Sequence, residues 1–406
     1  MSSTVAIRGI VAGGDGVGQL EDGMAVFVPR TAPGDEAQVE ITRRKQRHAY
    51  ARLVGLTTVS DRRVEPRCAH YTRDNCGGCQ LQHLSPETQL CVKRRLVGDA
   101  LRRIGKRDVD DPTIVASPVS WRYRSQVRLT AKGGAIGLHR EGDAGAVFEL
   151  EDCLIVGEPV MQLWWQLRHH RDLLAPEMET LVLKQDRAGT LHVVVGGGQV
   201  RWDPAPLADR LAVHTVTYWW KPHAGAARVV AGDRAAFPAV AFEQSNSALA
   251  RSVRVSAVDG LGTVDGRIVW DLYGGVGDTA ELLARRGARV WSVDSNRAAV
   301  EWGRQHGSSS VTRLAARVEE SLVRLPRPDA VVVNPPRVGL VARVSRALEL
   351  WGRATPGARL TYVSCDPATL ARDLSRMPSL AIRLLTAFDL FPQTAHVESL
   401  VVLEAQ

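Results

Sequence analysis

Arg267-Ile268-Val269-Trp270-Asp271-Leu272, followed by Tyr273-Gly274-Gly275-Val276-Gly277-Asp278, is the stretch that decides the fold. Its first half is an apolar run of strand length. The glycines after it let the backbone turn sharply and come close to a ligand, and the spacing predicts a helix next, over Thr279 to Arg286, with its N-terminus aimed at that ligand. The glycine spacing is not that of the dinucleotide fingerprint, and no lysine follows as in a P-loop. A second apolar run, Ala288 to Val293, ends in Asp294, placed to take the two hydroxyls of a ribose. These pieces outline the nucleoside-binding half of a doubly wound α/β sheet.

Downstream the same alternation continues. Ala330 to Val333 reads as a buried strand closing on the rigid tip Asn334-Pro335-Pro336-Arg337. Such a tip can hold a planar nitrogenous group, or it can be a plain turn. Leu360 to Val363 reads as another buried strand, and Pro367 can open the helix after it, which puts Cys365 at the C-terminal rim of the sheet. Ligands bind at that rim, and a thiol close to a helix N-terminus can be held partly as the nucleophilic thiolate. A buried structural cysteine is the plain alternative. After Phe391-Pro392-Gln393-Thr394-Ala395-His396-Val397-Glu398 comes a last strand, Leu400 to Leu403, and Glu398 before it can simply be a solvated strand end.

Towards the N-terminus the texture changes. Thr4 to Ile7, Met24 to Val28, Glu36 to Ile41 and Ala49 to Leu56 are short apolar runs broken by glycine and proline, as in a small β-barrel. Arg43-Arg44-Lys45-Gln46-Arg47-His48 forms a basic tip between the last two, either a solvated loop or a grip on RNA. Cys68 and Cys76-Gly77-Gly78-Cys79 follow in a segment with little apolar material to order it, so a metal or cluster is expected. Cys91, on a helix expected from Pro86 to Gly105, and Cys153 compete for the fourth position, and four thiolates suit zinc or iron-sulfur equally. The middle region holds strand-like runs from Ser125 to Thr130, Leu181 to Lys184, Leu191 to Val195 and Val213 to Trp219, with core-facing residues over Met161 to Leu174. Trp121-Arg122-Tyr123-Arg124 interleaves aromatics with arginines, as an edge strand or a base-stacking surface would.

The chain has 406 residues, 45% of them hydrophobic and 24% charged, which suits a soluble protein of several domains. Its apolar runs are too short to span a membrane and residues 1–16 lack a signal-peptide pattern, so a cytoplasmic protein with no membrane partner is expected. Six cysteines in a reducing compartment point to ligands or nucleophiles rather than disulfides. A formal net charge of +8 points to a polyanionic partner.

In this order the motifs resemble the RNA 5-methyluridine methyltransferases, which use S-adenosylmethionine to methylate uracil C5 in tRNA and rRNA. Phe242-Glu243-Gln244-Ser245-Asn246, Asp271 to Gly277, Ser364 to Asp373, and Asp389 to Glu398 are similar to that family's motifs, and the N-terminal strands to a TRAM domain. The resemblance implies a Rossmann-like methyltransferase domain over 239–406, preceded by a TRAM-like, OB-like barrel over 1–60, a cysteine segment over 61–111 and a central α+β RNA-binding region over 112–238. It implies Cys365 as nucleophile and Glu398 as general base. It also implies that Gln244, Tyr273, Asp278, Asp294 and Asn334 line the cofactor and target site, and that Cys68, Cys76, Cys79 and Cys153 hold a 4Fe-4S cluster. Arg122 and Arg124 would then touch the RNA backbone, with rRNA favoured over tRNA and a monomer expected. Three features depart from the family pattern: Asn334 where the tip carries aspartate, Arg317 where many members carry an acidic residue, and a gap of seven residues between Cys68 and Cys76, longer than the family's.

Overall fold

The computed structural model describes residues 2–199, 201–212, 215–234 and 237–406. Among the described residues the strands form three sheets. The first has six strands in the order Ser2–Ala6, Glu36–Arg44, His48–Thr58, Ala25–Val28, Gly16–Gln19 and Gly9–Ile10. Alternate residues turn inward, so Val26, Val28, Ala37, Val39, Ala49 and Ala51 build one small core. The basic tip is tighter than a loop, because Arg43 and Arg44 still pair within a strand and the Lys45 N–H bonds the His48 carbonyl at 2.8 Å.

The second sheet orders its seven strands as Asp143–Glu149, Ala135–Arg140, Gln126–Lys132, Met178–Gln185, Leu191–Gly197, Val216–Lys221 and Arg228–Ala231. The helix Glu158–His169 packs on it with Met161, Leu163, Trp164 and Leu167 fully buried. The strand expected from Val213 begins at Val216, and Val213 itself lies outside the described residues.

The third sheet runs Val311–Ala315, Arg289–Asp294, Ile268–Leu272, Ala330–Val333, Arg359–Ser364, Glu398–Ala405, Leu380–Phe388 and Thr113–Val115. The first five are mutually parallel, and Glu398–Ala405 enters antiparallel between Arg359–Ser364 and Leu380–Phe388. Strand order reverses between Ile268–Leu272 and Ala330–Val333, which opens the ligand crevice of such sheets at their C-terminal ends. Two pieces from earlier in the chain complete this unit. The helix Pro86–Arg103, two residues shorter than expected, packs Val97 and Leu101 into the same core as Leu370 and Leu374, and Thr113–Val115 extends the sheet edge.

Candidate active site

The glycine loop is shaped by what lies under it. Asp271 is fully buried and accepts a hydrogen bond from the Ser292 hydroxyl at 2.9 Å, and burial pushes its carboxyl up to about 7. A Cβ at position 274 would come within 2.3 Å of both the Asp271 Oδ2 and the Ser292 Oγ, so only glycine fits. The loop folds back over the neighbouring strand through bonds from Tyr273 N and Gly274 N to the Val293 carbonyl, at 2.8 and 3.1 Å. Tyr273 takes a φ of 63° to do so. Asp294 is held by backbone N–H groups, from Gly275 at 2.9 Å and Asn296 at 2.7 Å. Those bonds orient its carboxylate and leave further lone pairs open.

Asn334 sits half-buried at the reversal point, its N–H bonded to the Leu272 carbonyl at 3.2 Å. Asp278 stands differently from the expectation. Its carboxylate is gripped by both terminal nitrogens of Arg187, at 2.6 and 3.0 Å, and Arg187 also bonds Glu243 at 2.9 Å. This residue therefore ties the first turn of its helix to the middle sheet, and bidentate pairing with arginine leaves it little capacity for a cofactor. Arg317 is exposed; burial holds the Tyr273 hydroxyl well above the ordinary range, and the charge of Glu319, two residues on from Arg317, adds to this.

Antiparallel entry of the last strand brings the expected nucleophile and base together. Ser364 pairs with Ser399, so Cys365, just past the end of one strand, and Glu398, at the start of the next, share one rim of the sheet. Asp366 caps the helix Pro367–Ser375 by accepting the Thr369 N–H at 2.8 Å, and Pro367 occupies its first turn, so the thiol lies at a helix N-terminus. Burial pushes the Cys365 thiol up, the charge of Glu398 adds to this, and Arg337 opposes it by charge and a hydrogen bond. Glu398 is 1% exposed, and among the described residues its Oε2 has no hydrogen-bond partner. Burial pushes its carboxyl up to about 8, against a hydrogen bond from Gln244 and the charge of Arg337. His396 completes the cluster, with Nε2 3.5 Å from the Arg337 guanidinium, and burial lowers it to about 4, so its ring is neutral.

The structure thus brings Cys365, Glu398 and Gln244 together, and adds Arg337 and His396, to which sequence reasoning assigns no role. Both lie in motifs quoted above, but their approach to the thiol depends on the folding of two separate loops. Asn246, the last residue of the Gln244 motif, caps the helix Ser247–Gly260 and donates to the Leu390 carbonyl at 3.2 Å. Arg122 does not stand free for RNA. It makes a bidentate pair with Asp152, both bonds at 2.9 Å, and donates to the Cys153 carbonyl at 3.0 Å. Arg124 keeps a buried Nε without a hydrogen-bond partner among the described residues.

Cys68, Cys76, Cys79 and Cys153 are all unpaired and line one cavity of about 710 Å³, whereas Cys91 is exposed on its helix. Burial pushes the Cys79 and Cys153 thiols up to about 12, and each also feels neighbouring thiols of this set. Among the described residues no three His, Cys, Asp or Glu side chains are close enough to hold a single metal ion. The Gly78 N–H donates to the Cys76 sulfur at 3.4 Å.

Comparison with known proteins gives a consistent picture. Residues 313–406 match the family model described as tRNA (uracil-5-)-methyltransferase, and residues 4–54 match that of the TRAM domain. The chain is 31% identical to a 23S rRNA (uracil(1939)-C(5))-methyltransferase RlmD of Azoarcus sp. strain BH72, over 99% of each protein. It is 28% identical to the RlmD of Thiobacillus denitrificans, over the full length of both. Among solved structures it resembles the tRNA (uracil-54, C5)-methyltransferase of Pyrococcus abyssi in complex with S-adenosyl-L-homocysteine. The TM-score is 0.73 at 24% identity, covering 98% of this chain and all of that one, which supports the shared fold.

Proposed function

The chain belongs to the RNA uracil-C5 methyltransferases, and on that premise we propose that it methylates C5 of one uridine in 23S ribosomal RNA. The observation that carries the catalytic reading is the shared rim of Cys365 and Glu398. C5 of uracil is a poor nucleophile until a nucleophile adds at C6. The Cys365 thiolate, favoured by Arg337 and the helix N-terminus, forms the bond to C6 and makes C5 an enolate carbon able to take a methyl group. C5 then carries both a hydrogen and the new methyl. Glu398, as the carboxylate, removes that proton, the electron pair returns to the ring, and the C6–S bond breaks. Gln244 fixes the carboxylate through its hydrogen bond.

S-adenosylmethionine, when bound, supplies the electrophilic methyl group. The residues fit it: Asp294 is pre-oriented at a strand end for ribose hydroxyls, and the Gly274–Gly277 loop brings backbone close to the crevice. Tyr273 and Asn334 border the same crevice. The uridine must leave its stack to reach the thiol, which costs on the order of a few kcal/mol. The net charge of +8 offers compensating contacts to phosphates.

We assign the 4Fe-4S cluster to Cys68, Cys76, Cys79 and Cys153, four thiols free of disulfides that line one cavity and make up the donor set for such a cluster. The four-part division at 1–60, 61–111, 112–238 and 239–406 serves this activity, with Pro86–Arg103 and Thr113–Val115 attached to the catalytic part. Mass mapping of 5-methyluridine in RNA from a strain lacking this protein tests the function. Loss of one modification from 23S rRNA, restored by the gene, is expected. Loss from tRNA would reassign the substrate, and no loss would overturn the reading.

A further inference from the structure

The segment between the strands Leu380–Phe388 and Glu398–Ala405 is far longer than the two to five residues that usually join antiparallel neighbours, and most of it is buried. Buried backbone polar groups need partners, and here they come from elsewhere in the chain. Gln89 and Gln393 bond reciprocally: the Gln89 amide donates to Gln393 Oε1 at 3.1 Å, and the Gln393 N–H donates to Gln89 Oε1 at 2.9 Å. The Leu81 N–H donates to the Gln393 carbonyl at 2.9 Å, and the Ala395 N–H to Gln80 Oε1 at 3.3 Å. Lys93, 0% exposed, donates to the Phe391 carbonyl at 2.9 Å and pairs with Asp389. Gln393 takes a φ of 70°, a conformation that its neighbours must hold in place.

Glu398 follows this loop directly. Its side chain takes one hydrogen bond, from Gln244, and among the described residues its Oε2 has no hydrogen-bond partner. Its backbone opens the strand by pairing with Phe388, and the stretch that leads into it, residues 389–397, is held by the Gln80–Lys93 segment. Gln80 and Leu81 immediately follow Cys79, and Gln80 also donates to the Gly77 carbonyl at 2.6 Å. We propose that Gln80, Leu81, Gln89 and Lys93 form a clamp that positions Glu398 for proton removal, with Gln89 as its principal positioning residue. The order of the cysteine segment is thereby transmitted to the reaction. The proposal rests on Glu398 acting as the base.

The clamp predicts a failure at one step. Cys365 lies on a different loop, so Gln89→Ala still binds RNA, adds the thiolate and accepts the methyl group, but removes the C5 proton slowly. Expected are a fall in kcat on the order of ten- to a hundredfold, a KM for RNA within about twofold, and accumulation of a denaturant-resistant protein-RNA adduct. Hydrogen exchange of residues 389–397 should rise. Gln89→Glu, which keeps the acceptor for the Gln393 N–H, should recover part of the rate, and Gln80→Ala should give a milder form of the same phenotype. A merely destabilised fold lowers the active fraction without accumulating adduct. Unchanged exchange in 389–397, or a fall in kcat without adduct, overturns the clamp. Glu398→Gln assayed alongside separates the two readings: adduct there but none in Gln89→Ala overturns the clamp alone. No adduct in either overturns the base assignment and the clamp with it.

Discussion

Raising the pH from 7 to 9 is expected to speed release of the methylated product by roughly an order of magnitude. Burial pushes the Glu398 carboxyl up to about 8. Only the carboxylate can take the C5 proton, and it makes up roughly one-tenth of the population at pH 7 and nine-tenths at pH 9, a gain of about ninefold. The Cys365 thiol is also held above its ordinary range, so formation of the adduct moves in the same sense. Arg337 lowers both groups, so Arg337→Met should carry the whole profile to higher pH and cost most at pH 7. Stability runs the other way. A carboxyl raised from 4.5 to about 8 favours the folded state below its unfolded value, and that contribution is lost as pH climbs through 8. Single-turnover transfer of a labelled methyl group, with adduct formation and decay followed separately, measures the two steps. An adduct decay rate flat between pH 6.5 and 9.5, or a shift to lower pH in Arg337→Met, would show that the Glu398 carboxylate is not the group that removes the proton.

Lys93→Met leaves the buried Asp389 and the Phe391 carbonyl without their cation, and should cost about 3–5 kcal/mol in denaturant unfolding. Adding Asp389→Leu should recover most of that loss. Gly274→Ala drives a methyl group to within 2.3 Å of Asp271 and Ser292, so calorimetric titration with S-adenosylmethionine should show weakened or absent binding while the melting of the N-terminal sheet is unchanged. Anaerobically purified protein should be brown and contain iron. Cys79→Ser should lose both colour and iron, Cys91→Ser neither, and stoichiometric zinc without iron would contradict the cluster.

Much of the fold is legible because strands buried on both faces are continuous apolar runs. Ala330–Val333 was bounded correctly at both ends, and Ile268–Leu272 and Arg359–Ser364 to within a residue. Strands that lack such runs escape notice. Gly9–Ile10 and Gly16–Gln19 are short and glycine-containing, and Leu380–Phe388 has a bulge between Ile382 and Leu384 that breaks its alternation. Thr113–Val115 is a strand only because Leu380–Phe388 lies beside it. At the site, residue type singles out Cys365 and the strand end singles out Asp294. The meeting of Cys365 with Glu398 follows from antiparallel pairing that no local pattern encodes. Asp278 and Arg122 looked available because their partners are distant in sequence: Arg187 lies 91 residues from Asp278, and Asp152 lies 30 from Arg122. Those ion pairs are tertiary facts.

In the proposed reaction Cys365 adds covalently to the uracil ring and Glu398 resolves the adduct. Incubating Glu398→Gln with RNA and S-adenosylmethionine, then resolving the mixture under denaturing conditions, tests it most directly. A stable protein-RNA adduct carrying the transferred methyl group is expected in Glu398→Gln, and neither adduct nor product in Cys365→Ala. Formation of 5-methyluridine by Cys365→Ala would contradict it.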